Sequence, residues 1–366
     1  DLNAYVAAGV GSDHEATTLD EAREKLRRGM HLMIREGTAA RNLEALLPAV
    51  TPANARLCHF CTDDRHPDTL LSEGGVDDVV RKAIARGLDP VTAIQMATIN
   101  TAQYFRRWDI GAVAPGFRAD LLVFDNLADL RAWRVYAGGR LAAEEGRYLA
   151  PAAGPAAVPA PASMHLEPAA VDLTIPAGEG PARVIGILPG QIVTEDLRLM
   201  PTVVGGAVVA DPARDLQKIA VVERHRGTGR TGLGLVRGLG LQRGALASSV
   251  AHDSHNVVVV GSGDEDMRAA LLAVVEMGGG QVVVAEGRVL AACPLPIAGL
   301  MSDRPLAEVR DQVAALTDAA HSLGSRLPDP LMTMSFLALP VIPALKLTDR
   351  GLVDVARFDL VPLFED

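Results

Sequence analysis

The sequence predicts an α/β segment followed by a separate α+β domain, and three observations support this division. Apolar runs typical of strands alternate with helical patterns over residues 1–108. Short β-rich runs with Gly and Pro turns follow over residues 109–150, which we expect to form a small β-module. Residues 151–164 are almost wholly Pro, Ala and Gly, a composition typical of a linker, and residues 165–366 then form the predicted α+β domain.

The first segment begins with an apolar run ending at Gly11, which we interpret as a strand. The pattern from Asp20 to Glu36 predicts one helix, because acids open it and Ala22 and Leu26 recur at helical spacing. The later elements are a short helix in RNLEALLPAV, a buried strand in ARLCHFCTDD, and helices over 76–86 and 90–105. This alternation predicts the last strands of a parallel α/β barrel, with its chemistry at the carboxyl edge of the strands.

The second domain contains strong strand and helix patterns of its own. The strands are predicted in DLQKIAVVERH, SHNVVVVG, GGQVVVAEG and RVLAACPLP, and amphipathic helices over 264–277 and 305–323. The basic run of Arg224, His225, Arg226 and Arg230 is interpreted as a solvated face or an interdomain contact.

Composition limits the class of partner. The chain has 366 residues, a formal net charge of −10 and 49% hydrophobic residues. Nucleic-acid binding needs a concentrated basic patch, so this charge favours a small neutral substrate instead. No apolar run is long enough to predict a membrane span. Three cysteines and the lack of a secretory signal at the N-terminus predict a cytoplasmic protein with reduced thiols.

Two polar motifs follow predicted strands and are the candidates for chemistry. The first, SDHE, contains His14 and Glu15, and a neutral imidazole is a good ligand for Zn²⁺, Mn²⁺ or Fe²⁺. Taken alone, His14 also fits an ordinary polar loop residue or a helix cap.

The second motif, CTDDRHP, contains the adjacent carboxylates Asp63 and Asp64. One of them could ligate a divalent ion and move the proton of a metal-bound water, and the other could bind the substrate. A simple turn before Pro67 is an equal alternative.

Three further patterns favour ordinary structural roles. Cys58 and Cys61 form a CxxC without a second pair, so a buried strand is the better interpretation. A GxGxxG occurs at residues 227–232, but no helix pattern follows it, which argues against a dinucleotide site. His252, Asp253 and His255 precede an apolar strand, where a hydrogen-bonded turn is favoured over a metal or substrate site.

The motifs together resemble the adenine deaminase family of metal-dependent amidohydrolases. The resemblance rests on SDHEATT, IREGTAARNLEALLP, CTDDRHPDTLLSEGG, GLDPVTAIQMATINTA and GAVAPGFRADLLVFD, and continues through ERHRGTGRTGLG, ASSVAHDSHNVVVVG and PDPLMTMSFLALPVIPALKLTDRGLVDV. It covers nearly the whole chain, apart from the Pro/Ala-rich region. It implies an incomplete TIM-type amidohydrolase barrel with a flanking β-module, and the conversion of adenine and water to hypoxanthine and ammonia at a divalent metal centre.

The resemblance also implies roles for single residues. His14 would be the ligand on the sixth barrel strand, and Asp63 the ligand and proton shuttle on the eighth. Asp64 would be a second catalytic residue on the substrate side, and Glu15 is a further candidate for substrate binding. Manganese or iron is the expected ion, and we expect the complete protein to be a homo-oligomer.

The chain departs from the family's pattern because the first five barrel strands, with their HxH ligand pair, are missing. None of the nine histidines is spaced to replace that pair. We therefore expect a fragment that binds metal weakly and deaminates nothing by itself. Two alternatives stay open: another amidohydrolase acting on a different heterocyclic amine or cyclic amide, and a non-catalytic remnant that acts by association.

Overall fold

A three-stranded parallel sheet organises the first of two units. The computed structural model describes residues 1–38, 40–127, 129–149 and 161–364, and the chain divides into the units Asp1–Ala157 and Val158–Asp366. The strands are β1 (Ser12–Asp13), β2 (His31–Arg35) and β3 (Cys58–Cys61), with β2 in the middle. Asp13 pairs with Leu32, and Arg35 pairs with Cys61, so the carboxyl ends of all three strands lie at one edge.

Helices connect and cover these strands. They are α1 (Leu2–Ala7), α2 (Leu19–Arg27), α3 (Leu43–Leu46), α4 (Pro67–Ser72), α5 (Val76–Ala85), α6 (Pro90–Ala97) and α7 (Ile99–Tyr104). Leu32 and Ile34 of β2 and Phe60 of β3 belong to one buried apolar cluster with Val79 and Ala83 of α5. The alternation of strand and helix confirms an α/β segment, while the barrel that it would belong to stays a prediction.

Two predicted elements in this unit are wrong, and the helix predicted over 90–105 is divided at Thr98 into α6 and α7. The helix expected from Asp20 to Glu36 ends at Arg27, and β2 occupies the second half of that range. Gly29 has a φ of 80°, a left-handed conformation that suits glycine and commonly ends a helix. The apolar run before Gly11 is helix α1 instead of a strand, and β1 begins only at Ser12.

The β-rich region forms a four-stranded antiparallel sheet. Its strands are β4 (Leu121–Val123), β5 (Arg134–Ala137), β6 (Arg140–Glu144) and β7 (Arg147–Tyr148), paired in chain order. The strands predicted here are therefore confirmed. The domain boundaries at residues 108, 150 and 164 stay predictions, and residues 151–160 of the predicted linker lie outside the described residues.

The second unit contains an eight-stranded mixed sheet and two small three-stranded sheets. Its strands are β8 (Ile175–Pro176), β9 (Ala182–Ile187), β10 (Thr194–Leu199), β11 (Thr202–Val204), β12 (Ala207–Val209), β13 (Leu216–Val222), β14 (Thr231–Arg237), β15 (Ala245–Ser248), β16 (Val257–Gly261), β17 (Gly280–Ala285), β18 (Arg288–Pro294), β19 (Leu345–Thr348), β20 (Gly351–Asp354) and β21 (Asp359–Val361). Its helices are α8 (Asp264–Glu276), α9 (Leu306–Ser322) and α10 (Pro330–Phe336). The large sheet has the order β10-β9-β14-β13-β16-β15-β17-β18.

The large sheet is covered on both faces, which explains its continuous apolar runs. Val257 and Val259 of β16 belong to a cluster with residues of α8, whereas Val258 and Val260 belong to a cluster with residues of α9. Successive side chains of a strand point to opposite faces, so a strand buried on both sides is apolar at every position. Among the described residues no helix has the length and apolar character needed to cross a membrane.

The basic run of the second unit is not simply a solvated face, because Arg224 is only 1% exposed. Its guanidinium donates hydrogen bonds to the backbone carbonyls of Ser163, His255 and Ala298. Burial lowers the pKa of Arg224 from its usual value. Three backbone acceptors thus take the place of a carboxylate, and the side chain joins three segments of the unit.

The opposite end of the parallel sheet in the first unit holds a pair of histidines, the partly buried His31 and the buried His59. His31 Nδ1 lies 2.7 Å from His59 Nε2, and the Tyr104 ring centroid lies 4.5 Å from that of His31. His59 is 1% exposed. Burial, together with the neighbouring His31, lowers the pKa of His59 to about 4. The pair is therefore neutral at physiological pH.

We expect this pair to make the first unit sensitive to acid. Between about pH 6.5 and pH 4 the unfolded chain binds a proton at residue 59 that the folded chain does not bind, so the free energy of unfolding falls as pH falls. The loss reaches about 3 kcal/mol below pH 4. Urea unfolding of the chain and of His59→Gln at several pH values measures it. Equal pH dependence in both proteins contradicts the prediction.

Candidate functional site

The two predicted motifs lie at the same edge of the parallel sheet. His14 and Glu15 directly follow β1, and Asp63 and Asp64 follow β3 after one residue. Between them, at the end of the central strand β2, lies Arg35, which is 5% exposed. This carboxyl edge is where parallel α/β folds place their chemistry, because the loops there carry side chains from several strands.

Arg35 joins an acid of each motif. Its Nη1 lies 2.9 Å from Asp63 Oδ2, and its Nη2 lies 2.9 Å from Glu15 Oε2. Burial acts to lower the pKa of Arg35, but the charges and hydrogen bonds of Glu15 and Asp63 outweigh it and raise the pKa above its usual value. A permanently charged guanidinium therefore lies between the two motifs. Arg35 was not among the site residues predicted from the sequence.

The first motif is ordered by contacts within the motif and with Lys25 of α2, in addition to the Arg35 ion pair. His14 Nε2 lies 3.3 Å from Glu15 Oε1, and both side chains are about half exposed. Asp13 Oδ2 accepts a hydrogen bond from the Ala16 backbone N–H and lies 2.8 Å from Lys25 Nζ. His14 and Glu15 are thus about half open to solvent, whereas the Asp13 carboxylate is held by Ala16 and Lys25.

The loop of the second motif is held from its buried side. Arg65 donates from Nε to the Glu36 carbonyl at 3.0 Å, from Nη1 to the Gly74 carbonyl at 2.6 Å, and from Nη2 to Asp78 Oδ2 at 2.8 Å. Asp63 has a φ of 55°, a left-handed conformation that is uncommon for a residue with a side chain. The surrounding contacts thus hold the backbone of a candidate ligand in an unfavourable conformation.

The Asp64 carboxylate occupies the position that a side chain at Gly37 would fill. A Cβ added at Gly37 would lie 1.8 Å from Asp64 Oδ1 and 2.8 Å from the Thr62 carbonyl oxygen. We expect Gly37→Ala to displace Asp64 and to lower the free energy of unfolding by about 1–3 kcal/mol. Urea unfolding measures the loss, with Gly11→Ala as the control, because its added Cβ would meet only Tyr104 at an ordinary 3.5 Å. Equal stability of the two variants contradicts the prediction.

The donors at this edge fit a divalent ion, but they do not complete its ligand set. Imidazole and carboxylate are ordinary ligands of Mn²⁺, Fe²⁺ and Zn²⁺, and the Asp63 side chain is 44% exposed although it pairs with Arg35. However, within the described ranges no group of three or more His, Cys, Asp or Glu residues is arranged to hold a metal ion. His14 and Asp63 can therefore serve only as part of a metal site.

The polar group of the second unit forms a compact turn. The rings of His252 and His255 are 5.6 Å apart, and His252 stacks on Phe336 at 4.7 Å. His255 Nδ1 accepts a hydrogen bond from the Ala251 backbone N–H. Burial, followed by nearby charges, lowers the pKa of His255. These contacts fit the capping turn that the sequence favoured, and a ligand role for His252, Asp253 and His255 stays a prediction.

The two remaining motifs have structural explanations. Cys58 and Cys61 lie in β3 as free thiols, and burial is the main cause that raises the pKa of each to about 12. They are therefore poor metal ligands and poor nucleophiles at neutral pH. Strand β14 begins at Thr231, inside the GxGxxG, which confirms that this motif does not open a helix.

Comparison with known proteins indicates the class of protein to which the two units are similar. Residues 1–154 match the amidohydrolase family, and residues 191–359 match the adenine deaminase C-terminal domain. The first unit is thus an amidohydrolase segment. A solved amidohydrolase from Thermotoga maritima MSB8 aligns over 34% of each chain with 18% identity and a TM-score of 0.28, a similarity too low to support an argument about the fold.

Curated relatives identify the particular family. A protein named adenine deaminase from Desulfatibacillum aliphaticivorans is 54% identical over 100% of this chain. One named adenine deaminase 2 from Carboxydothermus hydrogenoformans is 51% identical over 99% of this chain. The chain belongs to the adenine deaminase family, as its motifs had indicated. It spans 64% of the length of each of these two relatives. Family membership implies a divalent metal ion.

Proposed function

We propose that the protein represented by this chain hydrolyses adenine to hypoxanthine and ammonia. The observation that carries the proposal is the double ion pair of Arg35, which brings Glu15 of the first motif and Asp63 of the second to one edge of a parallel sheet. The relatives named adenine deaminase support the choice of adenine as the substrate.

We assign the chemistry of this edge to four side chains. His14 and Asp63 would hold part of the ligand set of Mn²⁺ or Fe²⁺, which lowers the pKa of a bound water when present. Asp63 takes the proton of the attacking water and delivers it to the departing amine nitrogen of adenine. Asp64 hydrogen-bonds the purine, and Glu15 is the second candidate for that contact. Water adds its oxygen at C6, and the C6–N bond breaks to release ammonia.

The proposed location, assembly and domain division follow from the resemblance to the adenine deaminase family. We propose that the protein is a cytoplasmic homo-oligomer. Its other metal ligands would come from a region equivalent to the part of the relatives that does not align with this chain. The four-part division at residues 108, 150 and 164 also belongs to the proposal.

A chimaera provides the experiment. The part of the Desulfatibacillum aliphaticivorans relative that does not align with this chain is joined to residues 1–366, and the product is compared with the 366-residue chain alone. Both are assayed for ammonia release from adenine with Mn²⁺ or Fe²⁺, and their metal content is measured. We expect turnover and bound metal in the chimaera, and no turnover in the chain alone.

Two outcomes contradict the proposal in different ways. A folded, metal-containing chimaera that releases ammonia from another heterocyclic amine or opens a cyclic amide, but leaves adenine intact, assigns a different substrate. Adenine turnover by the 366-residue chain alone shows that its own residues complete the site.

A further inference from the structure

We infer that Arg35 and Glu15 act as positioning residues that orient both proposed metal ligands, Asp63 directly and His14 through Glu15. This inference rests on the proposed function, and it gives Glu15 a role on the ligand side of the site instead of contact with the purine. Neither residue would touch the reacting atoms.

The geometry is a continuous chain of polar contacts across three strands. Asp63 Oδ2 lies 2.9 Å from Arg35 Nη1, and Arg35 Nη2 lies 2.9 Å from Glu15 Oε2. The second oxygen of Glu15, Oε1, lies 3.3 Å from His14 Nε2. The contacts therefore run from Asp63 through Arg35 and Glu15 to His14. His14 Nδ1 and Asp63 Oδ1 take no part in this series of contacts.

The arrangement matches what a ligand histidine requires. Histidines that bind metal usually donate their second ring N–H to a carboxylate, which fixes the orientation of the ring and makes the other nitrogen more basic. Glu15 Oε1 is placed to accept from His14 Nε2, so Nδ1 is the nitrogen left for the ion. Arg35 fixes Glu15 in turn.

Burial distinguishes Arg35 from a surface ion pair. The Arg35 side chain is 6% exposed, whereas the Asp63 and Glu15 side chains are 44% and 56% exposed. The buried Arg35 thus pairs with two carboxylates that both stay about half exposed to solvent. Its Nε is buried without a hydrogen-bond partner among the described residues, an unfavourable feature that the two ion pairs offset.

The test uses Arg35→Met, Arg35→Lys and Glu15→Gln in the chimaera. The measurements are the affinity for Mn²⁺, kcat and KM for adenine, and the thermal midpoint. Arg183→Met is the matched control, because Arg183 is a mostly buried arginine that pairs with Asp196 at 3.2 Å in the second unit.

We expect Arg35→Met to weaken Mn²⁺ binding about 10- to 100-fold and to lower kcat with little change in KM. Arg35→Lys should lower the Mn²⁺ affinity and kcat less than Arg35→Met does. A lysine supplies the positive charge but not the planar guanidinium that reaches two carboxylates. Glu15→Gln should weaken Mn²⁺ binding while KM stays unchanged. Arg183→Met should lower only the thermal midpoint.

Three results overturn the inference or separate it from the proposed function. Arg35 variants that lose stability but keep wild-type Mn²⁺ affinity and kcat show that the residue is only structural. A raised KM with unchanged metal affinity in Glu15→Gln returns Glu15 to the substrate side. If the parent chimaera binds Mn²⁺ but does not deaminate adenine, the proposed function fails, and the metal affinities of the variants still decide the role of Arg35. If Arg35→Met does not fold, Arg35→Lys and Glu15→Gln carry the test.

Discussion

Replacing Asp63 by Asn in the chimaera is expected to lower kcat for adenine by at least about a hundredfold. An amide cannot accept the proton of the attacking water, and it lacks the charge that pairs with Arg35 at 2.9 Å. The left-handed backbone at residue 63 is well tolerated by Asn, so the fold should persist. Steady-state ammonia release measures the loss, and metal content measured in parallel shows whether the ion is lost with it.

Asp20→Asn is the matched control for this prediction, since the Asp20 side chain is 98% exposed and lies in the first turn of α2. Its kcat should equal that of the parent chimaera. An Asp63→Asn variant that keeps kcat within about threefold of the parent would remove Asp63 from the proposed chemistry.

Replacing Gly232 by Ala is expected to destabilise the second unit by about 3 kcal/mol or more. A Cβ at this position would lie 1.8 Å from the Thr348 carbonyl oxygen and 3.0 Å from the Thr348 carbonyl carbon. Gly232 pairs with Val221 of β13, and β14 also pairs with β9 from Leu235 onward, so the backbone cannot move away without losing strand hydrogen bonds.

Urea unfolding of the second unit measures this loss. Gly263→Ala is the control, because Gly263 belongs to the same unit, has an extended backbone with a φ of −165°, and has no atom within 4 Å of its added Cβ. We expect the control to unfold close to the parent. Similar midpoints for the two variants would contradict the close approach of β14 to Thr348.

Most helices and strands with a regular spacing of apolar residues were predictable from the sequence. The apolar run before Gly261 is strand β16, and the helix predicted over 264–277 is α8, which ends at Glu276. Both are stabilised by burial of the side chains that produce the pattern, so pattern and structure agree. Strand β2 was missed because its apolar residues continue the helical spacing of α2, and the left-handed Gly29 was the only local signal of a boundary.

The candidate site was predictable in its position but not in its connections. A polar motif directly after a strand indicates the carboxyl edge of a sheet, and the structure places both motifs at that edge. The ion pairs of Arg35 depend on the register of β2 against its two neighbours, which cannot be read from a single sequence because partner strands far apart along the chain set it. The position of Gly37 against Asp64 depends on the same packing.

Strand β2 has a histidine at its first position and an arginine at its last, about 13 Å away. Neutral rings surround one end and fixed charges surround the other. Substitutions at the two ends should therefore act on separate properties. An engineer who wishes to improve stability in acid would redesign the packing around His31 and His59, and one who wishes to change the proposed metal preference would work around Arg35.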